Sequence, residues 1–334
     1  MARVSIKDIA EKLGVSSATV SLVLNEKDKD SRIGKEVAEK VRQTAIEMNY
    51  RPNMAARSLR TGKTKTLGLI VADISNPFFA KLARHIENIA EVKGYQVMFG
   101  SSDESSAKFE GLIHLFIEKN VDGIIVVPPQ DSEKAMMELV KRKVPVVSVD
   151  RGIEGLPVSS IQIDNIGASF QLTNILLEQG CKRIGFMAYN INLPNIKKRY
   201  EGYAKALEMN GVLVDNDLVR SVSFENFEEN VKQAIAALMA KKVDSVVFAT
   251  NRVGVQSLIA LREFKNYRDL KYVSIDNPDE YIFADIDITC IEQPVKELGE
   301  RTLDILFKYI ENPKYKIVES VTLQTNIVVP GENL

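Results

Sequence analysis

The chain has 334 residues, with 44 Lys and Arg against 45 Asp and Glu, and only two cysteines and two histidines. This length predicts two or three domains with sizeable cores. No apolar run approaches the roughly 20 residues that span a bilayer, and the first residues lack the apolar region of a secretory signal. The few cysteines and histidines give no metal-site pattern, so we expect reduced thiols, a cytoplasmic protein, no metal and no cofactor.

The formal net charge of −1 conceals an asymmetry along the chain. Residues 1–65 contain 14 Lys and Arg against 8 Asp and Glu, whereas the remainder contains 30 against 37. A basic N-terminal module on an acidic body is typical of a nucleic-acid reader attached to a second function. The alternative is a chance fluctuation in solvated charges.

The segment from Ser5 to Asn25 predicts two short helices joined by a tight turn. Ser5 and Asp8 have the spacing of a capping box, Gly14 suits the left-handed end of the first helix, and Ser16 can cap the second. The residues expected to pack between the helices are Ile6, Ile9, Leu13, Val20, Val23 and Leu24. The outer face of the second helix then carries Ser17, Ala18, Ser21 and Leu22. Such a face can enter a DNA major groove, although a merely exposed helix is the alternative.

A third helix is predicted after Gly34, with its end at Asn49. Its expected buried stripe is Val37, Val41, Ala45 and Met48. The next segment, residues 52–65, predicts a linker with one short helix between Asn53 and Gly62, which would be marginal on its own. Its four basic residues are Arg57, Arg60, Lys63 and Lys65. A plain flexible tether is the alternative interpretation.

From Thr66 onward, apolar runs of strand length alternate with helix-length amphipathic segments. This alternation predicts an α/β fold whose parallel sheets are covered by helices on both faces. The pattern occurs twice: Gly68, Pro77 and Gly94 recur 117 residues later as Gly185, Pro194 and Gly211. We therefore predict two similar halves with a ligand cleft between the carboxyl ends of their sheets.

Several separate motifs resemble the LacI/GalR repressor family. The matching residues of the first segment are Asp8, Ile9, Ala10, Gly14, Val15, Ser16, Thr19, Val20, Ser21, Leu24 and Asn25. The similarity continues through Tyr50-Arg51-Pro52-Asn53, Ala56-Arg57-Ser58-Leu59, Asn76-Pro77-Phe78-Phe79 and Gln293-Pro294. It therefore covers nearly the whole chain.

The resemblance implies a fold of three parts. Residues 1–51 would form a three-helix helix-turn-helix headpiece and residues 52–65 a hinge helix ordered on DNA. Residues 66–334 would form two doubly wound parallel-sheet subdomains of periplasmic-binding-protein type. The first subdomain would hold residues 66–163 and about 292–318, and the second residues 164–291 and about 319–334.

The resemblance also implies which residues contact operator DNA. They are Ser5, Ser16, Ser17, Ala18, Thr19, Ser21, Leu22, Asn25, Tyr50, Asn53, Ala56, Arg57, Leu59 and Arg60. Leu59 matches the leucine that wedges into the minor groove. Leu22 stands where relatives commonly have Arg, which removes a bidentate donor to guanine, so the operator sequence cannot be transferred from the family.

Polar and aromatic residues that follow strands are the candidates for the cleft. By resemblance, the expected effector-binding residues are Phe78, Phe79, Asp150, Arg199, Phe224, Asn251, Asp276 and Gln293. Arg199 and Asp276 match the most frequent effector anchors. Each residue also has a structural interpretation, as a helix cap or as core. Arg252 would suit an anionic ligand if it faced the cleft, or it could point to solvent.

The sequence thus predicts a cytoplasmic, homodimeric, DNA-binding transcriptional regulator, most simply a repressor, that responds to a sugar-like metabolite and binds a pseudo-palindromic operator. A periplasmic-type solute-binding protein without a role in transcription is one alternative. A nucleotide-using enzyme is another, but the chain has neither a phosphate-binding loop nor a plausible catalytic arrangement. His85 and His114 lie in predicted helices and are interpreted as structural.

Overall fold

The structure is a computed structural model that describes residues 4–26, 28, 33–50, 62–190, 192–315 and 317–330. The chain forms two compact units, residues 1–64 and residues 65–334. Most of the predicted linker lies outside the described residues. This part includes the DNA-binding candidates Asn53, Ala56, Arg57, Leu59 and Arg60.

The first unit contains three described helices, α1 (Ile6–Leu13), α2 (Ser17–Leu24) and α3 (Lys35–Glu47). The predicted capping box is present at α1, where the Ser5 side chain accepts from the Asp8 amide and Asp8 accepts from the Ser5 amide. Gly14 ends this helix with a φ of 66°, a conformation that glycine adopts without steric cost. At α2, the Ser16 hydroxyl accepts from the Thr19 amide. The caps predicted for α1 and α2 are confirmed.

The three helices share one apolar core. Its buried members are Ile9, Ala10, Val20, Val23, Ala38, Val41 and Ala45. The stripe predicted for α3 is wrong at its first position, since Val37 is 37% exposed and Ala38 is buried in its place. Ala38, Val41 and Ala45 follow one another at spacings of three and four residues, so they share one face of α3. The buried stripe therefore includes Ala38 and not Val37, one residue later than predicted.

The second unit contains two six-stranded sheets. The strands are β1 (Thr66–Val71), β2 (Gln96–Ser101), β3 (Gly123–Val126), β4 (Val146–Val149), β5 (Ser159–Ile163), β6 (Ile184–Tyr189), β7 (Val219–Val222), β8 (Ser245–Phe248), β9 (Lys271–Ile275), β10 (Ile288–Glu292), β11 (Ser320–Leu323) and β12 (Asn326–Val328). The first sheet has the order β11-β5-β4-β3-β1-β2 and the second β12-β10-β9-β8-β6-β7. All neighbours pair in parallel except β10 and β12.

Helices cover both faces of each sheet. They are α4 (Pro77–Val92), α5 (Ser106–Glu118), α6 (Glu133–Lys141), α7 (Asn165–Glu178), α8 (Pro194–Met209), α9 (Phe227–Ala240), α10 (Asn251–Leu261) and α11 (Val295–Glu311). Short 3-10 helices span Asn216–Leu218, Tyr267–Asp269 and Asp279–Phe283. Helices α4 and α11 share one core with the first sheet, and α5 and α6 share another. The second sheet packs likewise on α7 with α8 and on α9 with α10. The predicted α/β class with doubly wound sheets is confirmed.

The repeated proline and glycine residues occupy equivalent positions in the two halves of the second unit. Pro77 and Pro194 occupy the first helical position after β1 and β6, where the missing amide proton costs nothing. Gly94 and Gly211 leave the following helices with φ of 72° and 70°. The two halves therefore begin and end these helices in the same way.

No helix among the described residues is long and apolar enough to cross a membrane.

The chain passes between the two sheets three times. It leaves the first sheet after Ile163 and returns after Glu292. The third passage lies between Leu323 and Asn326, because β11 pairs with β5 of the first sheet. The position near 319 expected from the sequence is therefore a few residues too early. The apolar runs that predict strands are LGLIVADI, YQVMFGSSD, VDGIIVVPP, VPVVSVD, SSIQIDN, RIGFMAY, DSVVFAT, YVSID and ESVTLQTNIVVP. They do not include the edge strand β7 or strand β10.

Candidate functional site

The outer face of α2 is the part of the first unit that is predicted to enter a DNA major groove. Ser17, Ala18 and Leu22 are exposed, whereas Val20 and Val23 are buried in the core. Leu22 is 37% exposed. The helix thus presents small and polar side chains that would let its backbone approach a surface closely.

The other candidates of this unit are partly engaged in its own structure. Ser16 and Thr19 share a hydroxyl hydrogen bond of 2.9 Å, and Asn25 donates to the Ser21 carbonyl at 2.6 Å. The Ser5 hydroxyl donates to Asp8 at 2.9 Å, and Tyr50 packs against the core. Ser5, Ser16 and Thr19 lie at the N-terminal ends of α1 and α2, the helix ends that are suited to phosphate oxygens.

The second unit has a cavity at the carboxyl ends of its strands. All eight predicted effector-binding residues line it, with side chains from both halves. Its full lining is Asp73, Asn76, Phe78, Phe79, Glu104, Asp150, Arg151, Tyr189, Leu193, Asn195, Ile196, Arg199, Phe224, Thr250, Asn251, Asp276 and Gln293. Open α/β sheets bind ligands at this edge, because loops from successive strands converge there.

Two carboxylates occupy equivalent places in the two halves. Asp150 follows β4 and Asp276 follows β9, the third strands in their respective sheet orders. Both adopt left-handed backbone conformations, with φ of 68° and 76°. Each amide donates at 2.9 Å to the neighbouring strand, Asp150 to Ile161 and Asp276 to Ile291. The same backbone turn therefore places both carboxylates at equivalent strand ends.

Arg199 of α8 is buried in the second half of the cavity. Its Nε donates to Asn165 Oδ1 at 2.8 Å and its Nη1 to the Ala249 carbonyl at 2.7 Å. Asp276 Oδ1 accepts from Gln293 Nε2 at 2.6 Å. These bonds fix the orientation of the guanidinium and of the carboxylate before any ligand arrives.

Burial opposes ionisation of both groups. It raises the pKa of Asp276, and the positive charge of Arg199 offsets this only in part. It also lowers the pKa of Arg199, while the charges of Asp276 and Asp150 act in the opposite direction. The two groups therefore depend on each other for their charges, as paired groups at ligand sites commonly do.

The two halves are in direct contact around this cavity. Asn251 Nδ2 donates to Asn76 Oδ1 at 2.8 Å, and Asn195 Nδ2 donates to Asp150 Oδ2 at 3.2 Å. The cavity volume is about 50 Å³, against roughly 300–1,000 Å³ for typical small-molecule sites. Around this cavity the two halves are thus closed on each other through direct side-chain contacts.

Comparisons with known proteins identify both units. Residues 5–53 match the family described as bacterial regulatory proteins, lacI family, and residues 67–314 match a periplasmic binding protein domain. The HTH-type transcriptional regulator RegA of Clostridium saccharobutylicum is 31% identical over 312 residues, which cover 92% of each chain. The chain belongs to the LacI family of bacterial transcriptional regulators.

Two further similar proteins support this assignment. The transcriptional repressor CytR of Escherichia coli K12 is 31% identical over 310 residues, which cover 92% of this chain and 90% of CytR. The solved complex of the transcriptional regulator CelR with cellobiose is 25% identical, covers 98% of this chain and 99% of its own, and has a TM-score of 0.72. The chain is thus a DNA-binding transcriptional repressor with an effector-binding domain, and neither an enzyme nor a solute-binding protein without a role in transcription.

Nine cavity residues of this LacI-family regulator are absent from the eight predicted effector-binding residues. They are Asp73, Asn76, Glu104, Arg151, Tyr189, Leu193, Asn195, Ile196 and Thr250. Glu104, Tyr189 and Thr250 lie at or just after the ends of β2, β6 and β8, so the strand-end rule could have found them. Tyr189 stacks on Phe224 at 4.2 Å between ring centroids.

The sequence left open whether Arg252 faces the cleft or points to solvent. Its Nη1 donates to Asp73 Oδ2 at 3.0 Å, and its guanidinium lies 4.8 Å from the ring centroid of Phe227. Arg252 does not line the closed cavity. It connects the second half to Asp73 of the first half. His114, interpreted as structural, donates from Nε2 to the carboxylate Oε2 of Glu138 at 3.0 Å on the surface of α5 and α6.

Proposed function

We propose that this protein is a homodimeric repressor whose operator affinity is set by a sugar-like metabolite bound in the cleft of residues 65–334. The observation that carries the proposal is the composition of the cavity, which draws Asp150 from one half and Arg199 and Asp276 from the other. A ligand held by all three contacts both halves. It therefore favours one angle between them over others, and only such differential affinity can change operator binding.

The polar and aromatic lining supports a sugar-like ligand. Arg199 would donate to a ligand hydroxyl, and Asp276 and Asp150 would accept from others. Phe78, Phe79 and Phe224 would pack against C–H surfaces of the ligand. Asn251 and Gln293 would complete the hydrogen bonding. CelR, a relative with bound cellobiose, supports the same class of ligand.

We further propose that α2 reads the operator through Ser17, Ala18, Ser21 and Leu22. Ser5, Ser16, Thr19, Asn25 and Tyr50 would position the unit on phosphates, and Asn53, Ala56, Arg57, Leu59 and Arg60 would form the hinge contacts. A protein that regulates transcription in this way works in the bacterial cytoplasm. Two such units on a pseudo-palindrome require two copies of the chain.

An apolar patch on the second unit supports a dimer. Ile259, Ile282 and Phe283 are 58%, 79% and 82% exposed. Ile259 and Phe283 line a groove of about 160 Å³ together with Tyr281. An exposed cluster of large apolar side chains marks a contact surface, and a second copy of the same chain is the occupant that a two-fold operator requires.

The test is operator binding measured by fluorescence anisotropy, with and without the sugar that a thermal-shift screen selects. We expect Arg199→Ala and Asp276→Ala to bind operator like the parent but to lose the response to that sugar. Leaving one partner charge unpaired in the cleft should cost ~2–5 kcal/mol of ligand affinity. Arg142→Ala, which removes an exposed arginine outside the cleft, is the matched control. If both cleft variants respond as the parent does, the ligand is held elsewhere and this site assignment is wrong.

A further inference from the structure

The buried arginine of the first half already has carboxylate partners. Arg151 forms a bidentate pair with Glu104, with Nη1–Oε2 and Nη2–Oε1 distances of 2.9 Å each. Its Nε donates to Asp150 Oδ2 at 3.3 Å. Each of the three guanidinium nitrogens therefore donates to a carboxylate of the protein. Bidentate pairing is the geometry in which arginine would otherwise hold a phosphate or a carboxylate of a ligand.

Neither of the other two arginines near the cleft has a free bidentate face. Arg199 uses Nε and Nη1 within the second half, which leaves only Nη2 for a ligand. Arg252 pairs with Asp73 and stacks on Phe227. Among the described residues that line the cavity, the charged side chains are four carboxylates and two guanidiniums. An anionic ligand would enter a site with excess negative charge, where like charges repel strongly because water is scarce.

The same site is rich in hydrogen-bond acceptors. Carboxylate oxygens only accept, and each can take more than one donor. Gln293 is buried, and its Oε1 has no hydrogen-bond partner within the described part of the chain, while its Nε2 is held by Asp276. A buried acceptor without a donor is rare in proteins, and a ligand hydroxyl would satisfy it.

We infer that the cleft selects an uncharged, hydroxyl-rich ligand and rejects its phosphorylated or carboxylated forms, with Glu104 as the residue that sets this preference. Glu104 does so by occupying the bidentate face of Arg151. This inference rests on the proposed function in placing the effector in the cleft. It goes beyond that function in naming the charge class of the effector and the residue that determines it.

The first test uses inorganic phosphate as the probe, titrated by calorimetry into the full chain at constant ionic strength. We expect no saturable binding attributable to the cleft in the parent. Glu104→Gln keeps the shape but removes the charge that pairs with Nη1 and Nη2 of Arg151. It should gain saturable binding at least about tenfold above any parent signal. Adding Arg151→Gln to that variant should remove the gain.

A matched control separates pairing from overall charge. Glu138→Gln makes the same change in net charge in the same half and frees Arg142 at the surface. It should gain no saturable phosphate binding. If Glu104→Gln gains none either, or if the parent binds phosphate through Arg151, the inference is wrong. Circular dichroism checks the fold of Glu104→Gln, and Glu104→Ala serves as the second variant with the same expected gain.

The second test compares matched ligands by thermal shift: glucose with glucose 6-phosphate and gluconate, and ribose with ribose 5-phosphate. For each set of ligands that stabilises the parent, we expect the uncharged sugar to stabilise it at a lower concentration than its anionic forms. Glu104→Gln should reduce or reverse this preference for the uncharged sugar. Tighter binding of an anionic member by the parent would overturn the inference. A sugar that binds without changing operator affinity would instead contradict the proposed function and leave the charge preference standing.

Discussion

The side-chain amides of Asn76 and Asn251 form a reciprocal pair across the cleft, although 175 positions separate them in the chain. Asn251 Nδ2 donates to Asn76 Oδ1 at 2.8 Å, and Asn76 Nδ2 donates to Asn251 Oδ1 at 3.3 Å. The same two oxygens accept from backbone amides of their own helices, Phe78 in α4 and Arg252 in α10. The pair therefore joins the N-termini of two helices that belong to different halves.

We predict that this pair favours the closed cleft. Asn76→Ser should keep the helix cap, because serine caps as well as asparagine, but should lose the contact with Asn251. Loss of a hydrogen bond worth ~1 kcal/mol should populate open forms and weaken effector binding about fivefold. Calorimetry with the selected sugar measures the change, and small-angle X-ray scattering of the free protein should show expansion. Unchanged affinity and dimensions in Asn76→Ser would exclude a role for the pair in closure.

The raised pKa of Asp276 predicts a pH dependence of stability. Because burial raises this pKa above its ordinary value of 3.8, the folded state binds more protons than the unfolded state between 3.8 and the raised value. The contribution of Asp276 to the free energy of unfolding should therefore decrease as pH rises through this window and stay constant above it. Urea unfolding of the parent and Asp276→Asn across this range should differ in slope, and equal slopes would contradict the prediction.

Gly202 lies where α8 crosses α7 with no room for a side chain. A Cβ at this position would lie 2.2 Å from the Ile166 carbonyl oxygen and 2.9 Å from the Phe170 amide nitrogen. Because both neighbours are backbone atoms, we expect Gly202→Ala to destabilise the protein by at least ~1–3 kcal/mol. The control Gly111→Ala, in open space on α5, should stabilise it by roughly 0.5–1 kcal/mol. Urea midpoints measure both, and equal shifts would show that the helix crossing can relax.

The charge asymmetry of the chain predicts salt-sensitive DNA binding. The excess of Lys and Arg lies in residues 1–65, so operator affinity should fall with salt with a log–log slope on the order of −6 to −10. Deletion of residues 1–61 should abolish binding and leave the second unit folded, since residues 65–334 form a compact unit. A flat salt dependence, or undiminished binding by the truncated chain, would show that the contacts lie elsewhere.

Local rules explain how much the sequence could predict. Caps at Ser5 and Ser16 depend on neighbours three residues away, and strand-end residues such as Asp150 follow from the apolar run before them. Glu104 could not be assigned a role in this way, because its importance comes from Arg151, 47 positions later. Strand β7 was missed because it lies at a sheet edge, where only Val222 is buried and no continuous apolar run is needed.

The three passages of the chain between the sheets affect the order in which the two halves can fold during synthesis. Helix α11 and strand β11 belong to the first half, and residues 164–292 of the second half precede both in the chain. On the ribosome, the first half therefore lacks one covering helix and its edge strand until most of the second half has emerged. Because β11 and β12 lie within residues 320–328, both sheets receive their last strand almost simultaneously. The two halves are thus expected to mature together rather than one after the other, unlike domains that are continuous in sequence.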